Sequence, residues 1–175
     1  MENEMPAQAA PKSARVSARA NALAERLESG LGALAALAAT LTDVQWRMRM
    51  PHDRRPLGVV VHHVASVLPV EITLAQSVAA GRAVTGVTAD DINLMNAAHA
   101  LDHATVTREA ALDLLRRNGA SAAAVIRSLS DTELDTAATV SLYADAPLTC
   151  QFVLEDHAVR HSYHHLARIR AALSL

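Results

Sequence analysis

Imidazole is the reactive side chain that this sequence concentrates. Of nine histidines, four (His157, His161, His164 and His165) fall in one stretch, Asp156-His157-Ala158-Val159-Arg160-His161-Ser162-Tyr163-His164-His165-Leu166. In an α-helix, residues i and i+4 share a face. His157 with His161, and His161 with His165, are such pairs. A pair at this spacing can hold one metal ion from a single helix, provided a third ligand arrives from elsewhere. With His157 set at 0° and about 100° per residue, Leu154, Ala158, Leu166, Ile169, Ala172 and Leu173 gather between about 60° and 180°. On the same wheel His165, at about 80°, lies inside this apolar stripe and His161, at about 40°, lies on its edge. His157 and His164 are expected at the rim or in solvent.

The third ligand is sought on another apolar face. A helix over residues 57–80 places Val59, Val60, Val67, Val70, Leu74 and Val78 within about 60° of His63. His62 falls at about 260°, away from that stripe. Glu71 falls on its edge, two turns past His63. It could orient a ligand histidine, although a solvated edge charge is the expectation. The central reading is therefore a three-histidine metal site of His63, His161 and His165. Neutral imidazole suits zinc, nickel, iron or copper. Three protein ligands leave a position open for water or substrate. The ion would make a nucleophile near neutral pH from bound water or a bound thiol. The competing reading is three ordinary core histidines, but burying three imidazoles without a shared partner is costly.

Other residues carry less. His99 and His103 form a further i, i+4 pair with Asp102 between them, and are candidates for the mouth of the site. Cys150 has no activating neighbour in sequence. His52 falls in a loop, Trp46 and Tyr163 read as packing residues, and Arg116-Arg117 as a solvated charge pair. No phosphate loop, G-x-S-x-G or dinucleotide fingerprint is present.

The elements that must position these residues are helices. Apolar residues make up 51%, yet only one Trp, two Tyr and one Phe are aromatic. A core of Ala, Leu and Val suits closely packed helices. At 175 residues the chain is expected to form one domain over 14–175, after a disordered tail over 1–13. The net charge of −2 argues against a nucleic-acid partner bound through bulk positive charge. The single cysteine excludes an intrachain disulfide and fits a cytoplasmic location. No uncharged apolar run reaches about 18 residues, so no membrane span is expected. Helices are expected over 14–41, 57–80, 92–103, 107–129 and 152–173, the short one capped by Thr88, Asp90 and Asp91. Gly30 and Gly32 would bend the first helix or admit a close neighbour, and Pro69 would kink the second. Residues 130–134 are read as a turn of helix or a loop, and 135–148 as an irregular connection without strand-like alternation. The fold class is all-α, a bundle of four main helices with one long connection.

Two of these stretches resemble the motifs of the DinB-like proteins. His62-His63-Val64-Ala65 is similar to their histidine, leucine or valine, alanine motif. His161-Ser162-Tyr163-His164-His165-Leu166-Ala167-Arg168-Ile169 is similar to their closing His-x-x-x-His motif. The approach from Trp46 through Pro56 to Gly58-Val59-Val60 also looks like theirs, and the resemblance extends over about residues 23–173. It implies a four-helix bundle in up-down-down-up order, often a homodimer, with a divalent metal on three histidines. Carried over by position, these are His63, His161 and His165. The related mycothiol-dependent maleylpyruvate isomerases place a glutamate where this chain has His161, which argues against that reaction. The resemblance leaves a cytoplasmic metal-dependent enzyme acting on a small molecule, with zinc, nickel or iron and a low-molecular-weight thiol as cofactor. Such an enzyme would be a transferase or isomerase, or a hydrolase if no thiol enters. The alternative is a non-catalytic metal- or ligand-binding protein of the stress response.

Overall fold

The computed structural model describes residues 17–52 and 54–175. The tail over 1–13 and the expected start of the first helix at 14–16 lie outside the described residues. Helix α1 (Ala18–Thr40) begins at Ser17, whose hydroxyl accepts from the Ala20 amide. Leu23, Leu27, Leu31 and Leu34 form its buried face. A short α2 (Asp43–Arg47) follows, closed by a reciprocal capping box between Thr42 and Gln45. Helix α3 (Leu57–Ala79) runs through Pro69 and is apolar on nearly every side. Helix α4 (Ala89–Asp102) is capped by Thr88 and Asp91, as the sequence indicated, but buries no residue. Helix α5 (Arg108–Ser128) packs through Leu115, Gly119, Ala122 and Ile126. Residues 130–134 do turn helical, as α6 (Asp131–Asp135), with Ser130 and Glu133 forming its capping box.

The connection read as irregular contains an antiparallel pair of strands, β1 (Ala137–Val140) and β2 (Ala146–Thr149), with Ala138 opposite Leu148. The correction has a physical reason. Four residues are too few to establish an alternation, and the turn uses Ala144 and Asp145 at positive φ instead of the usual Asn-Gly. The chain ahead of α4 is tied to this ribbon: Val84 pairs with Val140, and the Val87 amide donates to Ser141 Oγ.

The last helix starts at Cys150, two residues earlier than expected, because Thr149 caps it by accepting from the Phe152 amide. It runs in three pieces: α7 (Cys150–Val153), a wider π-helical stretch (Leu154–Val159) and α8 (Arg160–Leu173).

Side-chain contacts give the direction of each packed pair. Glu28 meets Arg127 and Leu31 lies against Gly119, so α1 and α5 are antiparallel. Arg26 meets Glu155 and Gly30 lies against Ser162 and Tyr163, so α1 and the last helix are parallel. Asn118 donates to the Ala65 carbonyl near the middle of both α3 and α5, while Trp46, against Gly58, donates to Val106 ahead of α5. These two helices therefore run parallel. Glu71 meets His161 and His63 meets His165, which makes α3 and α8 antiparallel. The result is an all-α, four-helix bundle in up-down-down-up order, with α1 diagonal to α3. Among the described residues, α3 alone is long and apolar enough to cross a membrane, but 67% of its apolar window is buried inside the bundle. It is the core helix.

Gly30 does what one expectation required of it. A Cβ there would run into Ser162 Oγ and the Tyr163 ring, so glycine sets how closely α1 approaches α8. Gly32 has open space around it.

Candidate metal centre

His63, His161 and His165 converge as the sequence reading proposed. Each offers a nitrogen within 4.8 Å of the others'. His63 stands edge-on to both partners, with ring centroids 5.1 Å from His161 and 5.6 Å from His165. His63 is 5% exposed and His165 is 7% exposed, while His161 is half-buried. Burial first, and then the neighbouring His161 and His63, push the His165 pKa down to about 2. That ring is neutral at any physiological pH, the form that donates a lone pair to a cation.

Glu71 is not the solvated edge charge that was expected. It is 8% exposed, and His161 Nδ1 donates to its Oε1 across 2.6 Å. This bond fixes the tautomer and leaves His161 Nε2 as the donor atom for an ion. The other carboxylate oxygen, Oε2, is buried and has no hydrogen-bond partner among the described residues. Three converging imidazoles, one already oriented by a carboxylate, fit a divalent ion of the zinc, nickel or iron type.

The apolar stripe around His63 divides. Val59, Val60 and Val78 are in the core. Val67 and Leu74 are half-buried and Val70 is 57% exposed, because these three line an open cleft of about 590 Å³. Val84, Val87, Ile92 and Leu142 complete its apolar wall, and the three histidines and Glu71 lie at its floor. His157 and His164, expected at the rim, do line this cleft. The π-helical stretch widens the turn ahead of His161 and brings Asp156 and His157 to Tyr143. The Tyr143 hydroxyl donates to Asp156 Oδ2, and His157 Nε2 lies 3.2 Å from the same hydroxyl. Burial and the Asp156 carboxylate push the Tyr143 pKa up. Burial opposes ionisation of Asp156, but Tyr143 and Arg160 outweigh it and hold the carboxyl below its usual range. Burial also lowers the pKa of His157 and of His164.

His99 and His103 are not at the mouth of this cleft. They face His62, which the helical wheel had turned away from the site but which is 8% exposed. Spacing alone does not reveal His62, because α3 is buried on both flanks there and leaving one apolar stripe does not mean reaching solvent. The signal that was present was the His62-His63 doublet itself: on a helical stretch buried all round, as 57–65 is, neighbouring positions serve different faces. Cys150 is fully buried, and its thiol is pushed up to about 11, by burial first and then by Glu133, as suits an inert core residue.

Comparison with known proteins agrees with this architecture. No curated protein matches the chain. Among solved structures, the chain is similar to YfiT from Bacillus subtilis, described as "a probable metal-dependent hydrolase with an unusual four-helix bundle topology". The TM-score is 0.71 at 19% identity, over 95% of this chain and 93% of that one. The family model of the DinB superfamily matches residues 26–169, a span that includes all three histidines and Glu71. The chain therefore belongs to the DinB superfamily.

Proposed function

We propose that this protein is a metal-dependent enzyme that transfers a low-molecular-weight thiol to a small electrophile, or isomerises the electrophile through it. The observation that carries this reading is the convergence of His63, His161 and His165 at the floor of the cleft. A divalent ion held there would supply Lewis acidity and lower the pKa of a thiol or water molecule.

The chain's own residues account for the rest. Glu71 Oε1 accepts the His161 Nδ1 proton and so keeps Nε2 aimed at the ion. Val67, Val70 and Leu74 offer an apolar wall to the substrate body and exclude water from one side of the cleft. Asn96 Oδ1 and Glu71 Oε2, both buried and unpartnered among the described residues, can accept from a substrate hydroxyl or amine. The cleft of about 590 Å³ has room for both a thiol and a second small molecule. A thiol must come from outside, since the single cysteine is buried and its pKa is raised.

Cobalt-substituted protein tests the reading. Adding a thiol such as cysteine or glutathione should change the visible spectrum, and the change should vanish in His161→Ala and His165→Ala. Metal affinity at this site should fall by more than about 100-fold in either variant, since loss of a ligand exceeds loss of its orienting partner. A spectrum indifferent to saturating thiol, with turnover of an ester or amide panel, would overturn the thiol step. The enzyme would then be a hydrolase, the reading that the likeness to YfiT favours. Neither thiol binding nor turnover would leave a metal-binding protein without catalysis.

A further inference from the structure

We propose that His62, His99 and His103 form a second divalent-metal site, which fastens α4 to the bundle and so shapes the wall of the cleft. The three side chains each offer a nitrogen within 4.8 Å of the others'. His62 Nδ1 and His99 Nε2 are 2.9 Å apart. Two nitrogens bound to one tetrahedral ion at about 2.0–2.1 Å each would be roughly 3.3 Å apart, so these rings are almost at ligand spacing. The His62 ring centroid lies 4.1 Å from that of His103 and 5.1 Å from that of His99. Only one shared proton can bridge His62 Nδ1 and His99 Nε2. An ion satisfies the converging lone pairs better than a single proton does.

The second line of support is the helix that carries the ligands. No residue of α4 is fully buried, and Leu94, Met95 and Leu101 on it are exposed. Hydrophobic burial therefore contributes little to holding it in place. Its clearest attachment to the body is the contact of His99 and His103 with His62 on α3. These two histidines are four residues apart, His99 in the last turn of α4 and His103 at its C-cap, a spacing that lets both reach one ion. The preceding turns of α4 supply Ile92, Met95 and Asn96 to the cleft. An ion at His62, His99 and His103 would thus set the position of the cleft wall. The two sites adjoin, since the His63 and His99 rings are in edge contact with centroids 5.4 Å apart. The ligand set selects cations that accept imidazole, such as zinc, nickel or cobalt(II), over magnesium or calcium.

The test uses untagged, full-length protein stripped with a chelator and dialysed against zinc or cobalt(II). Metal is counted by elemental analysis, and amide exchange over α4 is followed with and without metal. Wild type should bind two equivalents. His99→Asn/His103→Asn should keep one and lose metal-dependent protection of α4. His161→Ala/His165→Ala should keep the other, with α4 still protected by metal. Circular dichroism checks folding; His99 lies on, and His103 caps, a helix with no buried residue, so the double substitution leaves the core intact. Equal metal content in wild type and His99→Asn/His103→Asn, or an α4 whose exchange ignores metal in wild type, would overturn the proposal. Failure of the first site would look different: His161→Ala/His165→Ala would bind as much metal as wild type.

Discussion

The two histidine clusters share α3 as a neighbour but differ in what stands behind them. His63, His161 and His165 are carried by two long helices packed into the core, with Leu154, Ala158, Leu166 and Ile169 buried along the same face of the last one. His62, His99 and His103 join that core to α4, a helix without a buried residue. The first cluster has an orienting carboxylate, Glu71, and opens into the cleft. The second has no carboxylate among its hydrogen bonds in the described residues. The difference separates a site held ready by packing from one whose ligands can hold the packing themselves.

That contrast predicts unequal consequences for substitutions. Replacing Glu71 by Gln leaves the shape but weakens the acceptor for His161 Nδ1. Metal affinity at the first cluster should fall by about 10- to 100-fold, read by competition with a chromophoric chelator. Affinity at the second cluster should not change, and an equal fall at both would erase the distinction. A smaller effect tests the packing behind α8. Gly30→Val would drive a side chain into Ser162 and Tyr163 and should cost about 1–3 kcal/mol in urea unfolding. It should also alter the cobalt spectrum of the first cluster and spare that of the second, because α1 touches α8 and carries no ligand. Unchanged stability would mean that α1 and α8 can separate freely, and the first cluster would not be rigidly seated.

How much of this was legible in the sequence follows the same division. The first cluster lay on helices with strong apolar periodicity, so the direction of His63 and His165 could be read from spacing alone. His161, placed on the stripe edge, is indeed half-buried. The bundle order came with the family resemblance and not with the periodicity. Glu71 was misjudged because helical position does not show that α8 covers its side chain. His157 was placed with an ideal helical step, whereas the π-helical stretch advances less per residue and turns it toward Tyr143. The ribbon was invisible because Ala144 and Asp145 do work that usually falls to glycine or asparagine. The second cluster was hidden by α4, whose apolar residues mostly face solvent, so no stripe pointed His99 or His103 anywhere.

The acid sensitivity of the metal-free protein distinguishes the clusters only at the low end of the pH scale. Burial lowers the pKa of His99 to about 4 and that of His165 to about 2, from 6.5 in each case. Between 6.5 and the folded value, the unfolded chain binds a proton that the folded chain refuses. Stability contributed by either neutral ring is therefore complete above about pH 6.5 and declines as pH falls. From pH 6.5 to about 4 the two rings contribute alike. Below about pH 4 His99 is protonated in both states and its contribution to the slope ends, while His165 continues to destabilise the fold as acid is added. Urea midpoints of chelator-treated wild type, His99→Gln and His165→Gln should show this: both variants flatten the decline from pH 7 to 5, and only His165→Gln flattens it further below pH 4. A His165→Gln profile parallel to wild type throughout would mean that this ring is protonated in the folded state and that the first cluster is wetter than its burial indicates.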